Sequence, residues 1–335
     1  MTYVRFFSYL CIRFFFDSYS MVTTDNKLDL RFRSNQASIT DGYRLYIGNF
    51  RSILRHTWVY ALIFALIQGV STTWIMNTTS SQMIARLSGM GVPMPSPIES
   101  FASLGMGLLL LVSQIALIAQ VFTLLAEHQS TGIISKPLKW YGSFSHRLFT
   151  RYLLIAFIIA LLPTATGAIT LLGFHYLGLW AGLTLAVVNA LLLFVLLMPL
   201  PYVVMKYMVN AQLPLFSRFS AVYAVGFRRW GAHFVVVLIT IIITLLALLI
   251  TELPTIVLTV ATARSMVGSL HGDPAGMPDY MNWMSVIVFF IAGFIQAYIQ
   301  LSVIFPSYYL YGTIEAQQEE RKKLQLDQHE KNTVY

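Results

Sequence analysis

Six stretches of the chain are predominantly apolar and close to or above the roughly 20 residues a helix needs to cross a bilayer. They cover residues 57–75, 101–125, 152–174, 177–205, 234–262 and 284–311, and Glu252 is their only charged residue. The runs are continuous rather than alternating, so they predict helices and not the strands of a barrel. Only His175 and Tyr176 separate the third run from the fourth, which predicts an antiparallel helical hairpin. The fourth run carries Gly178, Gly182, Ala186 and Ala190 at every fourth position, with Asn189 near its middle. Small residues on one helix face let a neighbouring backbone approach closely, so this run is expected to be a central helix on which others pack.

Between the runs the pattern changes. Ahead of the first, Tyr43, Tyr46, Phe50 and Ile53 share one helical face and Arg44, Arg51 and Arg55 another. Ahead of the third, Leu138, Tyr141, Phe144 and Leu148 lie opposite Lys136, Arg147 and Arg151. Ahead of the fifth, Phe216, Phe219, Tyr223, Phe227 and Trp230 form the apolar stripe, with Arg218 and Arg229 opposite and Arg228 beside them. An aromatic face backed by arginines predicts amphipathic helices lying in the headgroup layer. The chain therefore divides into candidate units 40–127, 137–206 and 216–312, each an interfacial helix followed by a helix pair. The second helix of each unit carries a mid-run amide: Gln114, Asn189 and Gln296.

Charge gives this arrangement a direction. Of the 22 lysines and arginines, all but Arg86 and Arg264 fall before the first run, after the sixth, or in alternate connections. The positive-inside rule then predicts that both termini are cytoplasmic, with six helices in three hairpins. Hydrophobic residues make up 57% and charged residues 11% of the chain, which excludes an ordinary soluble domain. The net charge of +8 follows the apolar runs rather than a soluble module, so no nucleic-acid partner is expected. The expected partners are membrane lipids, chiefly anionic headgroups of the inner leaflet, and the expected location is a bacterial cytoplasmic membrane. The single cysteine, Cys11, excludes an intrachain disulfide and any multi-cysteine metal site.

Residues 1–39 read as a cytoplasmic lead-in, 40–312 as the membrane domain and 313–335 as a charged cytoplasmic tail. Residues 1–20 are aromatic and basic without a cleavage pattern. They fit a peripheral amphipathic segment, or a stretch that precedes a true start at Met21.

Candidate chemistry is sparse. Gln68, Gln114, Asn189, Gln296 and Gln300 are polar groups inside apolar runs, where an amide is expected to bond to a neighbouring helix. The alternative is convergence, with Glu252, on a polar centre that binds a ligand. Glu252 is costly near the middle of a bilayer and is expected toward the end of its run, where Pro254 can break the helix. Pro163, followed by Thr164 and Thr166, predicts a bend in the third run.

The lead-ins Gly42-Tyr43-Arg44, Phe50-Arg51 and Trp58, and later Tyr223 and Phe227-Arg228-Arg229-Trp230, resemble those of uncharacterised bacterial six-span membrane proteins. The pattern is similar to the membrane region attached to some glycerophosphodiester phosphodiesterases. The resemblance covers residues 40–312 and implies a six-helix bundle with no catalytic residues. Some proteins of this appearance carry a carotene-oxygenase label, which requires histidines converging on iron. The histidines here are split between the two predicted sides, and no two sit at i,i+4 within a run, so that chemistry is not expected. No metal, cofactor or catalytic residue is assigned. The expected function is a non-catalytic structural or assembly component of the envelope. The alternative is a small-solute or lipid transporter with an amide-lined interior.

Overall fold

The computed structural model describes residues 32–87, 96–134, 139, 144–210, 213–215, 218–270, 278 and 280–333. The predicted segment over 1–20, Lys136, Leu138 and Tyr141 of the second lead-in, and Phe216 lie outside these residues. The described residues are helical almost throughout, with no strand among them.

The helices are α1 (Asn35–Gly48), α2 (Phe50–Leu87), α3 (Pro97–Thr131), α4 (His146–Leu177), α5 (Leu179–Leu197), α6 (Leu200–Val209), α7 (Phe219–Arg228), α8 (Trp230–Thr251), α9 (Leu253–Leu270), α10 (Tyr280–Ser302) and α11 (Ile304–Thr333). Among the described residues six helical stretches are long and apolar enough to cross a membrane: Phe50–Thr79, Pro97–Thr131, His146–Leu177, Leu179–Val209, Trp230–Thr251 and Tyr280–Leu326. Large apolar side chains along them remain exposed, among them Phe101, Leu109, Leu171, Trp180, Leu245 and Ile287. The chain is an all-α, multi-pass membrane protein.

Local chemistry sets the helix ends. Ser34 caps α1 by accepting from the Ala37 N–H at 3.2 Å. Ser96 and Glu99 form a reciprocal capping box at the start of α3, with Pro97 at the first helical position. Gly132 closes α3 in the left-handed conformation at φ 79°. Gly178 alone joins α4 to α5, at φ +83°, a conformation that favours glycine. Gly178 is thus the turn itself and not part of a packing face, while His175 and Tyr176, the expected turn, lie inside α4. Helix α4 runs unbroken through Pro163, and the Thr164 hydroxyl donates to the Ala160 carbonyl at 2.9 Å.

The α4–α5 pair is antiparallel. Asn189 Nδ2 donates to Thr170 Oγ1 at 2.8 Å, and a Cβ on Gly182 would meet the Phe174 ring. The fourth run is nevertheless not the central helix. Only 11% of its most apolar window is buried, against 50% for α3, and Ala190 is exposed. Its small face serves the hairpin at Gly182 and goes no further as a spine.

The close seam lies between α2 and α10. Ala61, Ala65 and Gly69 recur every fourth residue on α2; Gly293 of α10 faces them, its Cβ position 3.5 Å from Ala65 Cα, with Ala292 and Ala297 buried near it on α10. A Cβ on Gly69 would come within 3.1 Å of the Phe290 nitrogen and the Val286 oxygen, so the two backbones are nearly in contact. This is the geometry small residues permit. A second close approach joins α1 to the start of α11, where a Cβ on Gly42 would lie 2.5 Å from the Pro306 nitrogen.

The core gathers at one end of the bundle. Ile53, Leu124, Leu125, Tyr202, Tyr207, Met208, Phe305, Tyr308 and Tyr311 are almost wholly buried there. This changes the role of the lead-in helices. The aromatic face of α1 is covered by protein: the Tyr46 hydroxyl donates to the Tyr298 carbonyl at 2.8 Å, and its ring packs on Phe305. Helix α7 docks on the break between α5 and α6. Pro199 has no N–H to offer the Val195 carbonyl four residues back. Trp230 Nε1 donates to that carbonyl at 3.3 Å, and the Tyr223 hydroxyl donates to Leu196 O at 2.9 Å. Gly226 lets α7 approach, since its Cβ would sit 3.0 Å from Pro199 O.

Candidate functional site

The fifth run is broken where its one acid lies. The Glu252 N–H donates to the Leu248 carbonyl and ends α8; the Glu252 carbonyl accepts from Ile256 N in α9. Pro254 has no N–H with which to continue the ladder. Helix α9 then lies against α2 and α10 and leaves a cleft of about 570 Å³ among the three. Its lining repeats with helical spacing. Gln68, Thr72, Ile75, Met76 and Thr79 come from α2; Thr255, Ile256, Thr259, Val260, Thr262 and Ala263 come from α9; Phe289 and Ala292 close it from α10. Glu252 stands on the wall as the only charged side chain of the lining. The volume lies within the roughly 300–1,000 Å³ typical of small-molecule sites.

Glu252 is half-buried, and its Oε2 accepts from the Thr255 hydroxyl at 2.6 Å. No described lysine or arginine forms an ion pair with it. Gln68 Nε2 donates to Gln296 Oε1, which leaves Gln68 Oε1 buried without a partner in the described structure.

The amides do not form one polar centre. Gln68 pairs with Gln296, Gln114 Nε2 donates to Gln300 Oε1 at 3.3 Å, and Asn189 bonds inside its own hairpin to Thr170 and the Thr166 carbonyl. Two of these pairs tie α10 to α2 and α3, while Asn189 stands apart from both. The cleft therefore uses Glu252 and Gln68 of the expected set, and the other amides act as interhelical bonds.

The expected interfacial arginines also divide. Arg44, Arg51, Arg55, Arg147, Arg218 and Arg228 are exposed and Arg229 is half-buried. Arg151 is buried instead of facing headgroups. Its guanidinium donates to the carbonyls of Tyr207 at 3.2 Å and Leu213 at 2.7 Å, satisfying backbone acceptors at and beyond the end of α6. Three features were not anticipated from the pattern: the Ala61, Ala65 and Gly69 stripe, the Thr255–Thr259–Thr262 lining, and a polar network below it. In that network Lys206 Nζ lies 2.7 Å from both Glu315 oxygens, and the Tyr202 hydroxyl donates to Glu315 Oε1 at 2.6 Å. The stripe had the same every-fourth-residue signal as 178–190. The network joins residues more than a hundred positions apart, which no local pattern records.

The buried His128 and His233 serve as packing groups. His128 Nδ1 and the Tyr308 hydroxyl lie 3.1 Å apart in the core, and His233 Nδ1 bonds the Arg229 carbonyl. Among the described residues no three histidine, cysteine or acidic side chains are grouped as a metal site would need. No protein-family model, curated protein or solved structure matches the chain.

Proposed function

We propose that the protein is a non-catalytic membrane protein that takes an amphipathic molecule from the bilayer into the cleft between α2, α9 and α10. The cleft itself carries this reading: a partly open cavity with a mainly apolar surface, its polar side chains supplied by α2, α9 and Glu252 and its α10 wall wholly apolar. It favours a carrier or transporter role over a purely structural one. The paired amides argue against a polar solute path through the bundle, because their hydrogen-bonding groups are largely spent on one another. The distribution of lysine and arginine supports a bacterial cytoplasmic membrane with both termini inside. In that orientation the exposed Arg218, Arg228, Phe219 and Phe227 of α7 contact anionic headgroups, which is the part of the envelope-component reading that the geometry favours.

The test is occupancy. Thr259 is exposed toward the cleft, so Thr259→Phe fills space without disturbing the α2–α10 seam. Protein purified in mild detergent should carry a bound amphiphile detectable by native mass spectrometry, and the variant should carry much less. Equal occupancy in the two proteins, or none in the wild type after reconstitution with a membrane lipid extract, refutes the reading.

A further inference from the structure

Resting on that cleft, the geometry points to a more specific ligand: we propose that the site selects a single-chain amphipathic primary or secondary amine, held as its ammonium between Glu252 and the threonine-lined wall of α9. The α9 side of the cleft, where Glu252 stands, is short of donors. The Thr255 hydroxyl donates to Glu252, that of Thr259 to the Thr255 carbonyl at 2.8 Å, and that of Thr262 to the Leu258 carbonyl at 2.9 Å. Gln68 has spent an amide hydrogen on Gln296 and keeps an unpartnered oxygen. What Glu252 and the three threonines retain are lone pairs, since a hydroxyl that donates once can still accept and a carboxylate only accepts, while Gln68 adds an acceptor beside its one remaining N–H. A ligand that fits them brings hydrogen-bond donors.

It also brings positive charge. Glu252 is the lining's only charged side chain, and no described basic residue neutralises it. A carboxylate in apolar surroundings is costly unless paired, so a cation gains most here and an anion least. With no lysine or arginine in the lining, a lipid phosphate would lie beside a like charge. A quaternary ammonium would match the charge but has no N–H to donate. The remaining candidate is a protonated amine on an apolar body, and a cavity of about 570 Å³ suits one chain better than a diacyl lipid. Ile256 and Val260 remain roughly half exposed, so such a chain can enter sideways from the bilayer.

The experiment measures displaceable binding of radiolabelled dodecylammonium, dodecyltrimethylammonium and dodecanol to the full-length protein in phosphatidylcholine nanodiscs. Dodecylammonium should bind best. Glu252→Gln keeps the size of the side chain and an acceptor for Thr255, and should weaken amine binding roughly ten- to hundredfold while leaving dodecanol unchanged. If Glu252→Gln fails to fold, Ile256→Lys leaves Glu252 in place and offers it an i,i+4 partner, and should also abolish the amine's advantage. Dodecanol binding as tightly as the amine, with neither variant changing the amine, overturns charge recognition but leaves the cleft reading intact. Equal binding of the quaternary and primary amines overturns the donor argument. Displacement of the amine by phosphatidylethanolamine in the nanodisc overturns the single-chain assignment. Failure of all three probes to bind wild type overturns this proposal; the Thr259→Phe occupancy comparison, which uses whole membrane extract, then decides separately whether the cleft binds anything.

Discussion

Two glycines of one helix provide a test in which the same substitution has different outcomes. At Gly42, a new Cβ would lie 2.5 Å from the Pro306 nitrogen, 2.6 Å from its Cα and 2.8 Å from the Phe305 carbonyl carbon. All three are backbone atoms, so no side chain can swing aside. Restoring van der Waals contact requires α1 to move by about 1 Å from α11, and overpacking of this kind costs about 1–3 kcal/mol. The same shift loosens the Tyr46 bond to the Tyr298 carbonyl and the Arg33 guanidinium, which sits 5.0 Å over the Tyr309 ring. Alanine recovers up to about 1 kcal/mol of helix propensity, which leaves a net loss of about 1–2 kcal/mol. At Gly48, the last residue of α1, nothing lies within 4 Å of the new Cβ. Gly48→Ala therefore keeps only the propensity term and should be neutral or slightly stabilising. Thermal unfolding in one detergent, followed by intrinsic fluorescence and by loss of the monodisperse peak, measures both. Gly42→Ala should lower the apparent Tm by about 2–8 °C at roughly 2–4 °C per kcal/mol. If the two variants melt together, the α1–α11 contact does not have the closeness described and the reasoning fails.

Two further outcomes follow from buried polar contacts at the same end. Lys206→Met should cost about 1–3 kcal/mol, because Glu315 is largely buried and would keep only the Tyr202 hydroxyl among the partners described above; Lys206→Met/Glu315→Leu together should recover part of that loss in a double-mutant cycle. Tyr43 and Tyr46 have their hydroxyl pKa values raised by burial, and for Tyr46 the neighbouring Tyr298 adds to the shift. A raised folded-state pKa means that the protonated phenol is favoured by folding: its contribution is complete below the ordinary tyrosine value near 10 and is lost as pH climbs through the raised value. Stability should thus fall above about pH 10, and Tyr46→Phe should be less stable at neutral pH but lose less on going alkaline, as read by denaturation midpoints across that range.

Much of the fold was legible in the chain because its physical cause is local. A span of about 20 apolar residues has one stable form in lipid, the helix, since every backbone polar group must be bonded within it. The run lengths and the one-acid interruption at Glu252-Leu253-Pro254 follow from residues within a few positions of one another. The sequence by itself therefore determined six apolar helices, a tight connection between the third and the fourth, and a lone carboxylate within the apolar runs.

What tertiary structure decided was which of several equivalent signals meet. Gly182-Ala186-Ala190 and Ala61-Ala65-Gly69 carry the same periodicity, yet only the second builds the main seam, because only α2 has a small-faced partner in α10. Aromatic stripes on α1 and α7 have the composition of interfacial helices, yet protein covers the first and the Pro199 break holds the second. Arg151 carries the same charge as Arg147 one turn earlier, but free carbonyls at the end of α6 draw it inward. Glu252 and Gln68 are separated by most of the chain and share a cleft only because α9 leans on α2 and α10. Helix formation is a short-range event governed by the bilayer. Helix pairing depends on which surfaces fit together, and that complementarity exists only once the whole bundle is assembled.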